Sequence, residues 1–526
     1  MSPPPPGTLP PGTRIVYLAI LSLCLLVSLG IGKYFYRRQR SAKSCFLGGG
    51  DMPGWLVGIS ISASMISAMT FLAIPGFSFK EDYRWVVPSF SFLIMAVFAI
   101  VVLIPFFRKA STPSGYAFLE RRFGAWARVY AAGGFLLFNV LRLGVVLYVT
   151  CLSLEVFFGI PAIWLMLILG IAATLYAMMG GFEAVVWTEF FQAIVLVAGA
   201  VIMVPVVLHA IPGGMGTVFD LAGPLGKNKM AFGSFEFTFV EKTVWVMVLA
   251  SLFYNASDYA TRQDFIQRYR APKDMRQARI AVAIGAVTVV PVWLYFNFLG
   301  TTLWTYYKVN PDPAVAEFTV SAPEKIVPYF MASQLPPVVT GLVLGAVLMA
   351  ALSTLAPILN ACAVTWAGDF HHRFFRGPAE ALDELKLGRA TTRALGVIMI
   401  ALALLIHVLR TQTLQDLQAT GQMLFSAGLF GLFLIGFFGH RISARASLCA
   451  AVCTVGLVLA WFAAHTWKWA AWAPDPFWIP VLSNLGLPAF AILFNKLMPP
   501  AEKPPAENPG AAAAGGGEAQ PQTAKP

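Results

Sequence analysis

Thirteen runs of apolar residues, each about as long as a helix needs to cross a hydrocarbon layer, leave this chain few folds to adopt. They fall near residues 15 to 34, 53 to 76, 85 to 107, 127 to 154, 160 to 180, 184 to 210, 240 to 261, 279 to 306, 335 to 366, 392 to 409, 418 to 438, 445 to 466 and 476 to 497. Inside lipid every backbone N–H and C=O must find an internal partner, so such runs read as helices of an all-α polytopic membrane protein. Of the 526 residues 58% are hydrophobic and only 12% charged, which excludes an ordinary soluble domain. A formal charge of +12 would suggest nucleic acid in a soluble protein, but here the basic residues sit in short loops between apolar runs. There they set orientation, and no nucleic-acid partner is read from them.

Residues 1–13 form a proline-rich tail without the basic flank of a signal peptide, so residues 14–36 read as a retained first span. Lys33, Arg37, Arg38, Arg40 and Lys43 follow it, which puts that loop in the cytoplasm and the N-terminus outside. Arg108 to Arg128, Arg262 to Arg279 and His371 to Arg393 then fall in loops on the same side, while the mixed or acidic loops 212 to 241 and 306 to 336 fall outside. Residues 445–498 hold two further spans, and residues 499–526, rich in Pro, Ala and Gly, read as a disordered cytoplasmic tail. Six cysteines lie in or beside apolar runs with no CxxC pair, which favours packing thiols over a disulfide framework or a zinc site. Adjacent His371 and His372 point different ways around a helix and do not read as a metal pair.

Three stretches carry more than hydrophobicity. Gly48 to Gly76 places Ser60, Ser62, Ser64, Ser67 and Thr70 in an apolar run broken by Gly58 and closed by Pro75-Gly76. A locally unwound helix there frees carbonyls beside hydroxyls, which suits a cation; small residues that let helices approach closely are the plainer account. In Gly180 to Ala193, Glu189 sits two turns into an apolar helix and needs a partner or a cation. In Met349 to Phe370, Ser353 and Thr354 stand at i+3 and i+4 from Ala350, and Pro357 leaves the Ser353 carbonyl without an N–H donor. Half of a sodium site and hydroxyls bonded back to their own helix both fit that spacing.

Taken together, the glycine-led first core helix, GGFEAVVWTEFFQ, RQDFIQRY before a basic run, and AALSTLAPILNA before GDF resemble the sodium/solute symporter family, the sodium-coupled proline and sugar carriers. Within it, FLGGGDMPGW, IPFFRKASTPSGYAFLERRFG and FNVLRLGVVLYVT are most similar to bacterial sialic acid symporters. The resemblance implies an inverted repeat of two five-helix units, residues 46–210 and 240–438, with one helix before and two after. It implies a sodium site built from the carbonyls of Ala63, Ile66 and Ala350 and the hydroxyls of Ser353 and Thr354. It also implies a solute carboxylate held by Ser67, Thr70 and Arg142, with Trp85 and Ser89 where sialic acid carriers have phenylalanine and glutamine. Some relatives hold a second sodium on an acid and extra serines. Here the acid is Glu189, but the serine positions are Ala356 and Pro357, so one coupled sodium is expected.

The expected function is a sodium-coupled symporter in the plasma membrane, not an enzyme, that imports a small organic solute by alternating access. A carboxylated solute such as sialic acid is the first candidate, and a neutral sugar, polyol or amino acid the alternative. A carrier-fold sensor would be expected to append a signalling domain, which the tail does not resemble. Arg142 admits two roles: recognition of the solute carboxylate, or a fixed ion pair for which Glu189 is the nearest intramembrane candidate.

Overall fold

The computed structural model describes residues 11–36, 48–66, 68–109, 114–224, 226–238, 243–315, 323–375, 381–409, 421–422, 424–439, 441–466 and 476–498. Ser67, the loop at 37–47 and the tail from residue 499 lie outside the described residues. Among the described residues the secondary structure is helical, with no β-strand. Among the described residues nine helices are long and apolar enough to cross a membrane, or ten if a bent pair counts as one span.

In chain order the elements are α1 (Pro11–Tyr36), α2 (Gly54–Met65), α3 (Ala68–Lys80), α4 (Tyr83–Lys109) and α5 (Ala125–Phe158). Then come α6 (Ala162–Met178), α7 (Gly181–His209), α8 (Val244–Thr261), α9 (Gln263–Arg270) and α10 (Met275–Val309). The last five are α11 (Pro337–Thr365), α12 (Ala381–Leu409), α13 (Leu429–Phe438), α14 (Ala444–Thr466) and α15 (Ile479–Leu497). Side chains such as Leu26, Val201, Val397 and Leu457 remain exposed, as lipid-facing helix surfaces require. α11 is the opposite case, buried from Thr340 to Thr365 almost without interruption, and the bundle forms around it.

Two departures from the expected spans have local causes. No loop separates 160 to 180 from 184 to 210; α6 and α7 form one path kinked at Gly181, whose φ of 55° and ψ of −166° only glycine adopts readily. The run at 418 to 438 is also interrupted. Residues 426 to 428 form a turn, Gly428 takes φ 66°, and α13 starts only at Leu429.

α2 and α3 meet at 53° across Ile66, which is extended at φ −101° and ψ 106°. Both halves press on α10. A methyl group at Gly285 would lie 2.4 Å from Ile61 Cγ2, and one at Gly300 would lie 2.2 Å from the Pro75 carbonyl oxygen. Only a glycine lets the helices come that close.

Candidate functional site

The break in the first core helix and the middle of α11 meet in the core. Where α2 stops, the Ala63 carbonyl receives the Ile66 N–H at 3.3 Å, and across the interface it accepts the Ser353 hydroxyl at 3.2 Å. Ser353 also reaches the Ala350 carbonyl at 3.0 Å, and Thr354 reaches the same oxygen at 3.2 Å. Four of the five expected sodium-site residues are thus joined by direct contacts, all buried: Ala63, Ala350, Ser353 and Thr354. Ile66, the fifth, is buried at the break itself and joins them through its N–H on the Ala63 carbonyl. Carbonyl and hydroxyl oxygens without formal charge are hard, weak-field ligands, which suit a monovalent cation better than a divalent one. Of the two readings of the Ser353–Thr354 spacing, the hydroxyls bonded back to their own helix are seen directly, and the same hydroxyls remain the candidate ion ligands.

The other hydroxyls of α2 are partnered too. Ser62 donates to the Gly58 carbonyl at 3.0 Å and contacts Thr288 of α10, and Ser64 donates to the Ile61 carbonyl at 2.9 Å. Ser60 instead bonds to Glu189 of α7.

Glu189 is where sequence reasoning needs correcting. Its carboxylate lies 2.8 Å from the Arg268 guanidinium of α9, with both side chains fully buried, so Glu189 is in an ion pair, but with Arg268 and not with Arg142, the alternative the sequence left open. Arg268 Nε also donates to Ser60 at 3.1 Å, and Nη1 lies 3.4 Å from Asp264, one turn earlier. Neighbouring Arg262 pairs with Asp258 at 2.8 Å and Asp264 at 2.7 Å. In the sequence this stretch reads as an orientation signal with a helix-terminal ion-pair network; the Arg262 pairs with Asp258 and Asp264 fit that network, whereas the reach of Arg268 to Glu189 on α7 is not legible from spacing. The available signal was Glu189 itself, a buried acid that required a cation.

Arg142 lies midway along α5, within electrostatic range of Asp258, Arg262 and Asp264. The two aspartates are already engaged by Arg262. Among the described residues Arg142 forms no salt bridge, and its buried Nε has no hydrogen-bond partner. The remaining expected solute ligands are spread over neighbouring elements. Thr70 is buried on α3, which packs against α5. Trp85, at the start of α4, stacks on Phe77 with ring centroids 4.9 Å apart. Ser89 is buried, its hydroxyl donating to the Val86 carbonyl at 2.7 Å. Ser67 lies outside the described residues.

Residues 45–453 match the sequence model of the sodium:solute symporter family. The chain is 28% identical over 443 residues to the sodium/sialic acid symporter NanT of Aliivibrio fischeri, covering 84% of this chain and 86% of that one. It is 29% identical over 450 residues to the human sodium-coupled monocarboxylate transporter 1, covering 84% and 72%. A solved structure of a Na+-coupled sialic acid symporter, substrate-bound and outward-open, superposes with a TM-score of 0.84 at 25% identity, covering 93% of this chain and 99% of that one. The nucleobase-cation-symport-1 transporter Mhp1 shares the fold alone, at a TM-score of 0.55 and 13% identity, over 86% and 95%.

Proposed function

The chain belongs to the sodium:solute symporter family, and from that premise we propose that this sodium-coupled transporter imports a carboxylated solute, with sialic acid first among candidates. The observation that carries the reading is Arg142, a half-buried arginine midway along α5 whose buried Nε has no partner and which forms no salt bridge among the described residues, while Glu189 is held by Arg268. A guanidinium held between the helices of a membrane bundle is disfavoured without an anion. A solute carboxylate would supply one, in the bidentate geometry that arginine favours.

Sodium would bind between the carbonyls of Ala63, Ile66 and Ala350 and the hydroxyls of Ser353 and Thr354. The solute would lie between Arg142, Ser67, Thr70, Trp85 and Ser89. With Glu189 occupied and Ala356 and Pro357 offering no hydroxyl, one sodium is coupled per cycle. The architecture we assign is thirteen spans: one at residues 14–36, two five-helix repeats at 46–210 and 240–438, and two at 445–498. The basic loops put the N-terminus outside and the C-terminus in the cytoplasm.

Uptake into proteoliposomes tests this. N-acetylneuraminate should accumulate under an inward sodium gradient and not under a proton gradient alone. Arg142→Lys should lose most uptake with an unchanged thermal midpoint, because an ammonium cannot reproduce the guanidinium fork. Unaltered uptake by Arg142→Ala would shift the reading to a neutral solute.

A further inference from the structure

The chain between α7 and α8 stays close to the bundle and carries large apolar side chains on its surface. α7 ends at His209, and two glycines in the left-handed region, Gly213 at φ 81° and Gly214 at φ 55°, turn the backbone into the short helix Met215–Ala222. Val218 and Ala222 are buried and the helix packs on α10, while Met215 and Phe219, one turn apart, are 44% and 51% exposed. Farther along, Phe235 and Phe237 are 66% and 57% exposed. That segment is bonded to the first turn of α8: the Val244 N–H donates to the Ser234 carbonyl at 2.9 Å, and Trp245 Nε1 donates to the Phe235 carbonyl at 3.0 Å. Phe237 also meets the ring of Trp478 edge-on, with centroids 6.1 Å apart.

Four large apolar side chains left open on one loop call for a partner, and their height in the bundle says which. α8 begins at Val244 and α15 at Ile479, so a segment bonded to Val244 and Trp245 and touching Trp478 lies level with the ends of two helices. The apolar surface then runs on into the membrane. Trp245 is itself exposed, and Leu482, one turn past Trp478, opens the exposed apolar side of α15, a candidate span. We propose that this loop lies in the headgroup layer of the bilayer, with Phe219, Phe235 and Phe237 reaching the acyl chains, so that lipid is its partner. Aromatic rings grouped around an indole are the side chains that layer accepts best. The sequence places residues 212 to 241 outside; they keep that side of the membrane, but part of the loop sits in lipid rather than water. The same loop grips the broken helix, since Lys229 donates to the carbonyls of Phe79, at 3.0 Å, and Glu81, and Ala231 accepts the Tyr83 N–H at 2.8 Å. Seated in lipid, it fixes the depth of the end of α3, whichever solute is carried.

Photo-crosslinking of the full-length protein in nanodiscs of phosphatidylethanolamine and phosphatidylglycerol tests this. Benzoylphenylalanine is placed singly at Phe219, Phe235 and Phe237, with Leu482 as the lipid-facing reference and Lys227, an exposed charge on the same loop, as the water-facing one. Irradiation should give about tenfold more phospholipid adduct at each phenylalanine position than at Lys227, near the yield at Leu482. All five side chains are exposed, so the thermal midpoint should not move; should one variant misfold, Phe235 and Phe237 stand two residues apart and report on the same layer. Phospholipid yields no higher than at Lys227 would put the loop in water. Crosslinks between two copies of the chain in place of lipid adducts would make the patch a subunit interface, and either result overturns the lipid contact.

Discussion

Ser353 reaches two carbonyls at once, Ala63 across the interface and Ala350 on its own helix, and this makes it the residue through which α2 and α11 meet at the proposed ion site. Removing one oxygen from a five-ligand shell should weaken sodium without opening a large cavity. Ser353→Ala and Thr354→Ala are each expected to raise the sodium concentration for half-maximal uptake by about tenfold, with little loss of thermal stability. Unchanged sodium dependence in both variants would remove the site from α11. A second residue makes a pH prediction. Lys229, in the loop after Met215–Ala222, reaches the carbonyls of Phe79 at 3.0 Å and of Glu81, at the end of α3, and lies over the Trp304 ring at 5.6 Å. Burial pushes its amine down to about 8, against the pull of Asp82 and Glu81, with Lys308 adding to the depression. A lysine lowered in the folded state binds fewer protons there than in the unfolded chain once pH passes about 8. Stability should therefore rise with pH from about 8 toward the unperturbed lysine value, and level off beyond it. Thermal midpoints of wild type minus Lys229→Met, followed from pH 7 to 10.5, should show that rise; a flat difference would mean that Lys229 titrates normally.

Across elements, the decisive feature is the set of contacts from Arg268 to Glu189, Ser60 and Asp264, which pins α9 to α7 and α2. Breaking a buried pair from one side leaves a bare charge, so Arg268→Met should destabilise the fold by about 3 to 5 kcal/mol. Adding Glu189→Leu to that variant should restore most of the thermal midpoint, because no uncompensated charge then remains. A double variant no better than the single would mean that the pair is not the source of the loss. This network also marks how far the sequence could be read. The break near Ile66 was legible from Gly58 and Pro75-Gly76, and the Ala350–Ser353–Thr354 face from spacing alone, because both are local properties of one helix. That Glu189 needed a partner was legible from burial cost. Which partner was not, since Arg268 is 79 residues away and lies in a stretch whose charge pattern is that of a loop.

For the molecule as a whole, one sodium carried with one monovalent carboxylate makes a cargo of zero net charge. Uptake by the reconstituted protein should then show a sodium Hill coefficient near one and should be indifferent to a potassium-diffusion potential. A second sodium would add one net charge, and about 2.3 kcal/mol per 100 mV would raise accumulation roughly fiftyfold. The packing of α2 and α3 on α10 has a mechanical side as well. With Gly285 against Ile61 and Gly300 against Pro75, neither half of the bent helix can slide past α10 without a collision. The bend at Ile66 is therefore braced on both sides: a torque applied to either half is borne by the 35-residue α10, which packs on both.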